Sequence, residues 1–324
     1  MTDTLIADTA DRLMAEVVTP AAVRGLKDRA AAAPVWSLLA ESGFLDALVA
    51  EADGGAGLTA AEALPVLLAA GRHALPLPLG ATMAARAAIA AAGEAAPEGM
   101  IALAASARRD GDDLVAQVPA GEFADAVLVP SEGGAMLLAV GRAAEEPTGE
   151  GSFCRLRWRG ANGPLLSGFD PLLAGARIEA AEMAGAMEAM LATTLRYAND
   201  RSQFGKPIGK FQAVQQQLAV MTERVHGARA AADLAARAPD VPEAVATAKI
   251  TIGEAAAEVT AIAHAVHGAI GMTEELDLHL LSDRLRRGRL RYGSERHWAG
   301  RLGEAVLAAP EATLLDFVRA RVFL

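Results

Sequence analysis

Cysteine, lysine and aromatic side chains are scarce in this chain. Of its 324 residues one is a cysteine, Cys154, four are lysines (Lys27, Lys206, Lys210 and Lys249), and only 4% are aromatic. A single thiol excludes an intramolecular disulfide. Basic side chains are outnumbered, 30 Lys+Arg against 40 Asp+Glu, for a net charge of −10. That removes the basic footprint of a nucleic-acid binder and argues against an anionic membrane surface as the main partner. Long hydrophobic runs are missing too. The most apolar window, residues 61–93, is interrupted by Arg72, His73, Pro76, Pro78 and Arg86, well short of the ~20 uninterrupted residues of a membrane span. Met1-Thr-Asp-Thr-Leu-Ile-Ala-Asp8 has no basic segment leading into an apolar one, as a secretory leader would. The expectation is a cytoplasmic protein with neither nucleic-acid nor membrane partners.

What is abundant is alanine, about a quarter of the chain, within a hydrophobic fraction of 52%. Alanine is the strongest helix former, so the bias points to a mostly helical protein, and the length allows two or three modules. Three textures follow one another. Residues 1–97 carry apolar side chains at helical spacing over Leu5–Val18, Ala21–Ala33, Trp36–Glu41, Thr59–Ala70 and Ala81–Ala92, with Pro34 read as a break and Thr59 with Glu62 as a capping box. Residues 98–170 change to short β-branched or alternating runs at Ile101–Ala105, Asp113–Val118, Asp125–Val129, Met136–Val140 and Phe153–Trp158. In the last of these, Leu156 and Trp158 alternate with Arg155, Arg157 and Arg159, as on a strand with one solvated face. Residues 171–324 return to long helices, about Leu173–Asn199, Phe211–Arg237, Glu243–Val266 and Thr273–Arg291, with shorter ones to Leu324. Helices about twice the usual ~11–12 residues imply an extended antiparallel bundle. The predicted fold is mainly α with a small β-barrel-like domain between an N-terminal helical domain and a C-terminal four-helix bundle.

At the first break of the bundle stands Arg201-Ser-Gln-Phe-Gly-Lys-Pro-Ile-Gly-Lys-Phe-Gln212. A forked guanidinium with amides at a helix–helix turn suits a diphosphate. This segment closely resembles the Arg-x-x-Phe-Gly turn of the acyl-CoA dehydrogenase family, down to the Gln eleven residues after the Arg. Val266-His-Gly-Ala-Ile-Gly-Met-Thr273, about 67 residues further on, resembles the same family's Gly-Gly-x-Gly turn with Ala269 in place of one glycine. The helical, β, helical order extends the resemblance over nearly the whole chain. It implies FAD shared across a subunit interface, with Arg201, Gln203 and Phe204 near the pyrophosphate and flavin edge, Gln212 near the adenosine, and His267, Gly268 and Gly271 at the adenine turn. It also implies an acyl-CoA substrate, α,β-desaturation of the thioester, and an external electron acceptor.

The sequence departs from the family in three places. Ala265 stands where a Gln usually contacts the cofactor. Nothing in residues 98–170 matches the loop that covers the isoalloxazine. The carboxylate base is missing from both usual positions, which fall here on Tyr292 and Gly175, although desaturation needs a base within reach of the α-proton. Two substitutes are near: Glu179, one helical turn beyond Gly175, and Glu295, three residues past Tyr292. Each is alternatively a solvated helix carboxylate, and Tyr292 is a packing or hydrogen-bonding residue rather than a base. The losses resemble short family members of bacterial steroid and side-chain degradation that assemble as α2β2 heterotetramers, and Thr273-Glu-Glu-Leu-Asp-Leu-His-Leu280 resembles a stretch of that subset.

Two readings therefore stand, a catalytic FAD-dependent subunit, in a homo-oligomer or an α2β2 heterotetramer, and an incomplete partner that completes the FAD site of a second acyl-CoA dehydrogenase-like chain. A scaffold bundle without cofactor is the third. No metal is expected, because Glu223-x-x-His226 lacks the second copy that a di-iron bundle needs. His264 and His267 have no acidic partner beside them. The run of Arg284, Arg286, Arg287, Arg289 and Arg291 is read as a solvated basic face, with CoA phosphates or an acidic neighbouring subunit as the alternative.

Overall fold

The computed structural model describes residues 2–146 and 153–322, with side chains from residue 5 onward; the last two residues of the expected C-terminal helical stretch lie outside it. Five helices open the chain: α1 (Thr2–Val17), α2 (Pro20–Gly25), α3 (Arg29–Glu41), α4 (Ala60–Arg72) and α5 (Leu79–Ala91). The expected break at Pro34 is a correction. Pro34 lies inside α3, and the chain breaks earlier, at Leu26–Asp28, because the Asp28 carboxylate caps α3 by accepting from the Ala31 amide at 2.9 Å. Asp is a preferred N-cap, and a proline near a helix start costs one backbone bond there. The capping box forms as the sequence indicates. The Thr59 amide donates to Glu62 at 2.8 Å and the Glu62 amide to the Thr59 hydroxyl at 3.2 Å.

Two four-stranded sheets follow. One runs in the order β1 (Ile101–Leu103), β4 (Ala126–Ser131), β5 (Gly134–Ala139), β8 (Leu165–Ser167), with β1 parallel to β4; the other is β2 (Ser106–Asp110), β3 (Asp113–Val118), β7 (Cys154–Arg159), β6 (Ala143–Glu146). Strands β2, β6 and β8 have no counterpart in the sequence reading, since Ser106–Asp110 and Ala143–Glu146 carry little of the apolar alternation that marks a strand. Side-chain alternation divides the first sheet between two cores. Ala102, Val127 and Val129 pack with Leu114, Leu156 and Trp158 between the sheets, while Ile101, Leu103 and Leu128 turn to the helical core.

The third part is built on α6 (Pro171–Asp200), α7 (Gln212–Arg237) and α8 (Pro242–His267), followed by α9 (Leu278–Leu290), α10 (Glu295–Ala308) and α11 (Leu314–Arg321). Asp170 caps α6 by accepting from the amides of Leu172 and Leu173 at 2.9 and 3.1 Å. The helix expected to start at Thr273 starts at Leu278, because a 3-10 turn, Gly268–Met272, and a short loop precede it. A two-strand hairpin, β9 (Ser202–Gln203) with β10 (Lys206–Pro207), joins α6 to α7. Among the described residues no helix is long and apolar enough to cross a membrane.

One buried hydroxyl ties the first helical part to the sheets. Thr82 of α5 is fully buried, bonds the Pro78 carbonyl at 2.8 Å and accepts the Ile101 amide at 3.0 Å. Thr82→Val keeps the shape and leaves the first amide of β1 unpaired, so it should cost about 1–3 kcal/mol; a wild-type midpoint in urea unfolding would refute the role.

Candidate functional site

The two positions at which the family carries its base lie against each other. Gly175 of α6 abuts the Tyr292 ring so closely that a Cβ on residue 175 would overlap it. Tyr292 is buried, and its hydroxyl donates across to the Leu103 carbonyl of β1 at 3.1 Å. Its φ of 54° is one that side chains rarely adopt. Its carbonyl accepts from the Trp298 indole at 2.9 Å, which helps hold the strained residue in place. Burial, reinforced by the Glu179 charge, pushes the phenol well above its ordinary value, so it stays protonated.

Next to this plug lies a buried ionic cluster. Arg284 of α9, 5% exposed, forks between Glu179 and Glu182 of α6, and Arg291 stands 3.9 Å from the second oxygen of Glu179. Neither Arg284 nor Arg291 belongs to a solvated basic face, which corrects the reading of that arginine run, and Glu179 is not a solvated carboxylate. Burial alone would raise the Glu179 carboxyl, but Arg284 and then Arg291 outweigh it and hold it below the usual range. Glu182 lies the other way: burial dominates, Arg284 offsets part of it, and the neighbouring Glu179 charge pushes it up again, to about 7. Lys249 of α8 completes the cluster. Its ammonium, brought down to about 8 by burial, donates to the carbonyls of Gly288 and Arg291 at 2.9 and 3.0 Å. Glu295, the other substitute base, faces α8 at Gly253 and pairs with Arg289 at 2.6 Å. A cavity of about 290 Å³ between Leu26, Phe123 and Leu280 reaches Arg284 and Arg291, and neither Glu179 nor Glu295 lines it.

The opposite situation holds at the α6–α7 hairpin. Phe204 and Gly205 both have positive φ, 51° and 82°, as at the centre of a tight hairpin turn, and the Phe204 ring is 91% exposed. Arg201, Gln203, Lys206 and Gln212 are exposed around it. Among the described residues the Arg201 guanidinium has no carboxylate partner. The second turn lies at the same end of the bundle, since the Tyr197 hydroxyl, one helical turn before Arg201, reaches the His267 carbonyl at 3.3 Å. Gly268 leaves α8 with φ 64° and ψ −144°, a backbone state reserved for glycine, and Gly271 packs on the His267 side chain. The sequence-predicted set Arg201, Gln203, Phe204, Gln212, His267, Gly268 and Gly271 thus divides between two turns at one end, while Glu179 and Glu295 lie elsewhere, both near the buried Lys249 ammonium. Sequence reasoning missed Glu182, Lys249 and Tyr197. Two acids three residues apart in the apolar stretch Ile178-Glu-Ala-Ala-Glu-Met183 were the available signal for a buried cation.

The acyl-CoA dehydrogenase N-terminal domain matches residues 2–97 and the C-terminal domain of that family matches residues 171–307. The chain belongs to the acyl-CoA dehydrogenase family. Acyl-CoA dehydrogenase IpdE2 of Mycobacterium tuberculosis is 33% identical over 290 residues, covering 85% of this chain and 88% of that one. IpdE2 of Mycolicibacterium smegmatis is 31% identical over 282 residues, 85% of this chain and 89% of that one. Among solved structures, the ChsE4-ChsE5 complex from Mycobacterium tuberculosis superposes with a TM-score of 0.82 at 25% identity, over 96% of this chain and 98% of that one.

Removing one arm of the Arg284 fork leaves a buried charge undercompensated. Glu179→Gln is therefore expected to cost about 3–5 kcal/mol in urea unfolding, a loss that a solvated carboxylate would not show. Glu182 gives a pH signature of opposite sign. A carboxyl whose folded value lies above its unfolded 4.5 binds more protons folded than unfolded, so its contribution falls as pH rises from about 4.5 to about 7. The stability of the wild type relative to Glu182→Gln should decline across that window; a flat difference would sink the assignment.

Proposed function

We propose that this chain is the partner subunit of a heteromeric, FAD-dependent acyl-CoA dehydrogenase, supplying the diphosphate-facing end of the FAD site and leaving the base to a second family chain. The observation that carries the reading is the plug: Tyr292 stands at one family base position, fills the notch left by Gly175 at the other, and is tied to Leu103. Glu179, the nearest substitute, is committed to Arg284 and Arg291. A general base must reach the proton it removes, and a carboxylate held by two guanidiniums at 3% exposure is both out of reach and weakly basic.

The donor set at the hairpin suits a dinucleotide diphosphate. The unpaired Arg201 guanidinium, the Ser202 hydroxyl, the Gln203 and Gln212 amides and the Lys206 ammonium offer donors. Phe204 is an exposed aromatic held at a costly backbone angle, which favours its being covered in the working assembly. FAD bound there supplies the two-electron acceptor for oxidation of the acyl-CoA. Arg201 and the hairpin amides hold and neutralise the diphosphate, and the His267–Gly271 turn offers a close approach of backbone. The likeness to a complex of two different chains, ChsE4 and ChsE5, supports heteromeric assembly.

The test is production alone and together with a second acyl-CoA dehydrogenase-type chain. Alone, the protein should lack bound flavin and turnover; together, the purified assembly should retain FAD and oxidise an acyl-CoA. In that assembly Arg201→Ala should weaken FAD roughly 10- to 100-fold, the loss of a charge-assisted hydrogen bond, with the assembly mass unchanged. Acyl-CoA oxidation by the isolated chain with FAD would overturn the reading.

A further inference from the structure

One aromatic pair joins the two turns at the open end of the bundle. The Tyr197 ring stacks on the His267 imidazole, with centroids 4.4 Å apart and planes 27° from parallel. The Tyr197 hydroxyl donates to the His267 backbone carbonyl at 3.3 Å. Among the described residues this is the one side-chain hydrogen bond running from the Arg201 end of α6 to the glycine turn.

The stack has a defined protonation state. His267 is 3% exposed, and its Nδ1 lies 2.8 Å from the Ala263 carbonyl, a group that only accepts, so Nδ1 carries the proton. Burial, against the opposing Ala263 bond, lowers the His267 pKa, and the imidazole stays neutral. Its Nε2 is buried without a partner, so the ring is held by the Ala263 bond and the stack. The peptide that Tyr197 grips is the last of α8 before Gly268 steps to positive φ. Tyr197 is itself only half-buried, and a bond there adds little to global stability. What it fixes is where the glycine turn sits relative to the hairpin four residues after it.

We propose that Tyr197 is a positioning residue: by stacking on neutral His267 and holding its carbonyl, it sets the His267–Gly271 turn in register with the Arg201 hairpin before the dinucleotide arrives. The two turns then act as one rigid cradle whose ordering cost is met on folding rather than on binding. This rests on the reading of that end as a FAD diphosphate and adenosine site.

The experiment compares wild type, Tyr197→Phe, Tyr197→Leu and Arg201→Ala in the two-chain assembly. It measures the FAD dissociation constant of the flavin-stripped assembly and amide hydrogen exchange of residues 268–272 without FAD. Tyr197→Leu should raise exchange in the turn and weaken FAD about 10-fold, and Tyr197→Phe, which keeps the stack, should recover to within about threefold of wild type. Arg201→Ala should weaken FAD with wild-type exchange. Wild-type exchange or wild-type FAD affinity in Tyr197→Leu, with Arg201→Ala impaired, overturns the positioning role alone. If neither variant weakens FAD, the cradle reading falls and the proposal with it. Should Tyr197→Leu not fold, His267→Gln removes the stack from the other side and carries the same expectations.

Discussion

A guanidinium whose two terminal nitrogens are both claimed by carboxylates sits at the centre of this molecule, and much of the packing follows from it. Arg284 joins α9 to Glu179 and Glu182 of α6, and Arg291 and Lys249 stand around the same carboxylates. Buried charges of this kind cost desolvation that hydrophobic residues of the same volume would not incur. Two acids and three bases persist here in a core built mostly of Ala, Met and Leu, and none of the five is exposed above 8%. The cluster fixes the azimuth of α9 on α6. With α9 so placed, the chain emerging from it carries Tyr292 into the Gly175 notch and up to β1.

The same placement divides the bundle into a closed middle and an open end. In the middle, Tyr292 bonds Leu103, Lys249 bonds two carbonyls and Glu179 meets two arginines. At the hairpin end the polar side chains of Arg201, Gln203 and Gln212 face outward, and an aromatic ring is presented to solvent. That open end is the surface the proposed shared site would use.

Most of the architecture was legible because helical and strand periods were strong where packing is one-sided. Leu156 and Trp158 face inward and Arg155 and Arg157 outward, as their alternation indicates, and the long helices begin and end within a few residues of the expected punctuation. Proline misled at Pro34, where a carboxylate cap at Asp28 outweighs it. The turn residues were legible as motifs because glycine and aromatic positions in tight turns are dictated locally. The ionic cluster was not, because burial of an arginine depends on what lies opposite. Arg284 and Arg286 look alike in sequence, yet one meets two carboxylates of α6 and the other is exposed beside Asp283. Glu179 looked available for the same reason.

Backbone strain is present both in the closed middle and at the open end. Among the described residues four non-glycine positions have positive φ, and two of them are Phe204 and Tyr292. Each such position costs of order 1–3 kcal/mol and persists only where surroundings impose it. For Tyr292 the surroundings are internal: the Gly175 notch, the Leu103 carbonyl and the Trp298 indole. For Phe204 the Phe211 ring, 6.2 Å away and edge-on, is the one ring neighbour among the described residues, and the residue remains almost wholly exposed. The compensation for strain at Tyr292 is thus complete within one chain, while that for Phe204 is not. An exposed aromatic held at a strained angle beside an unpaired guanidinium is what the proposed shared site would leave uncovered on a single chain.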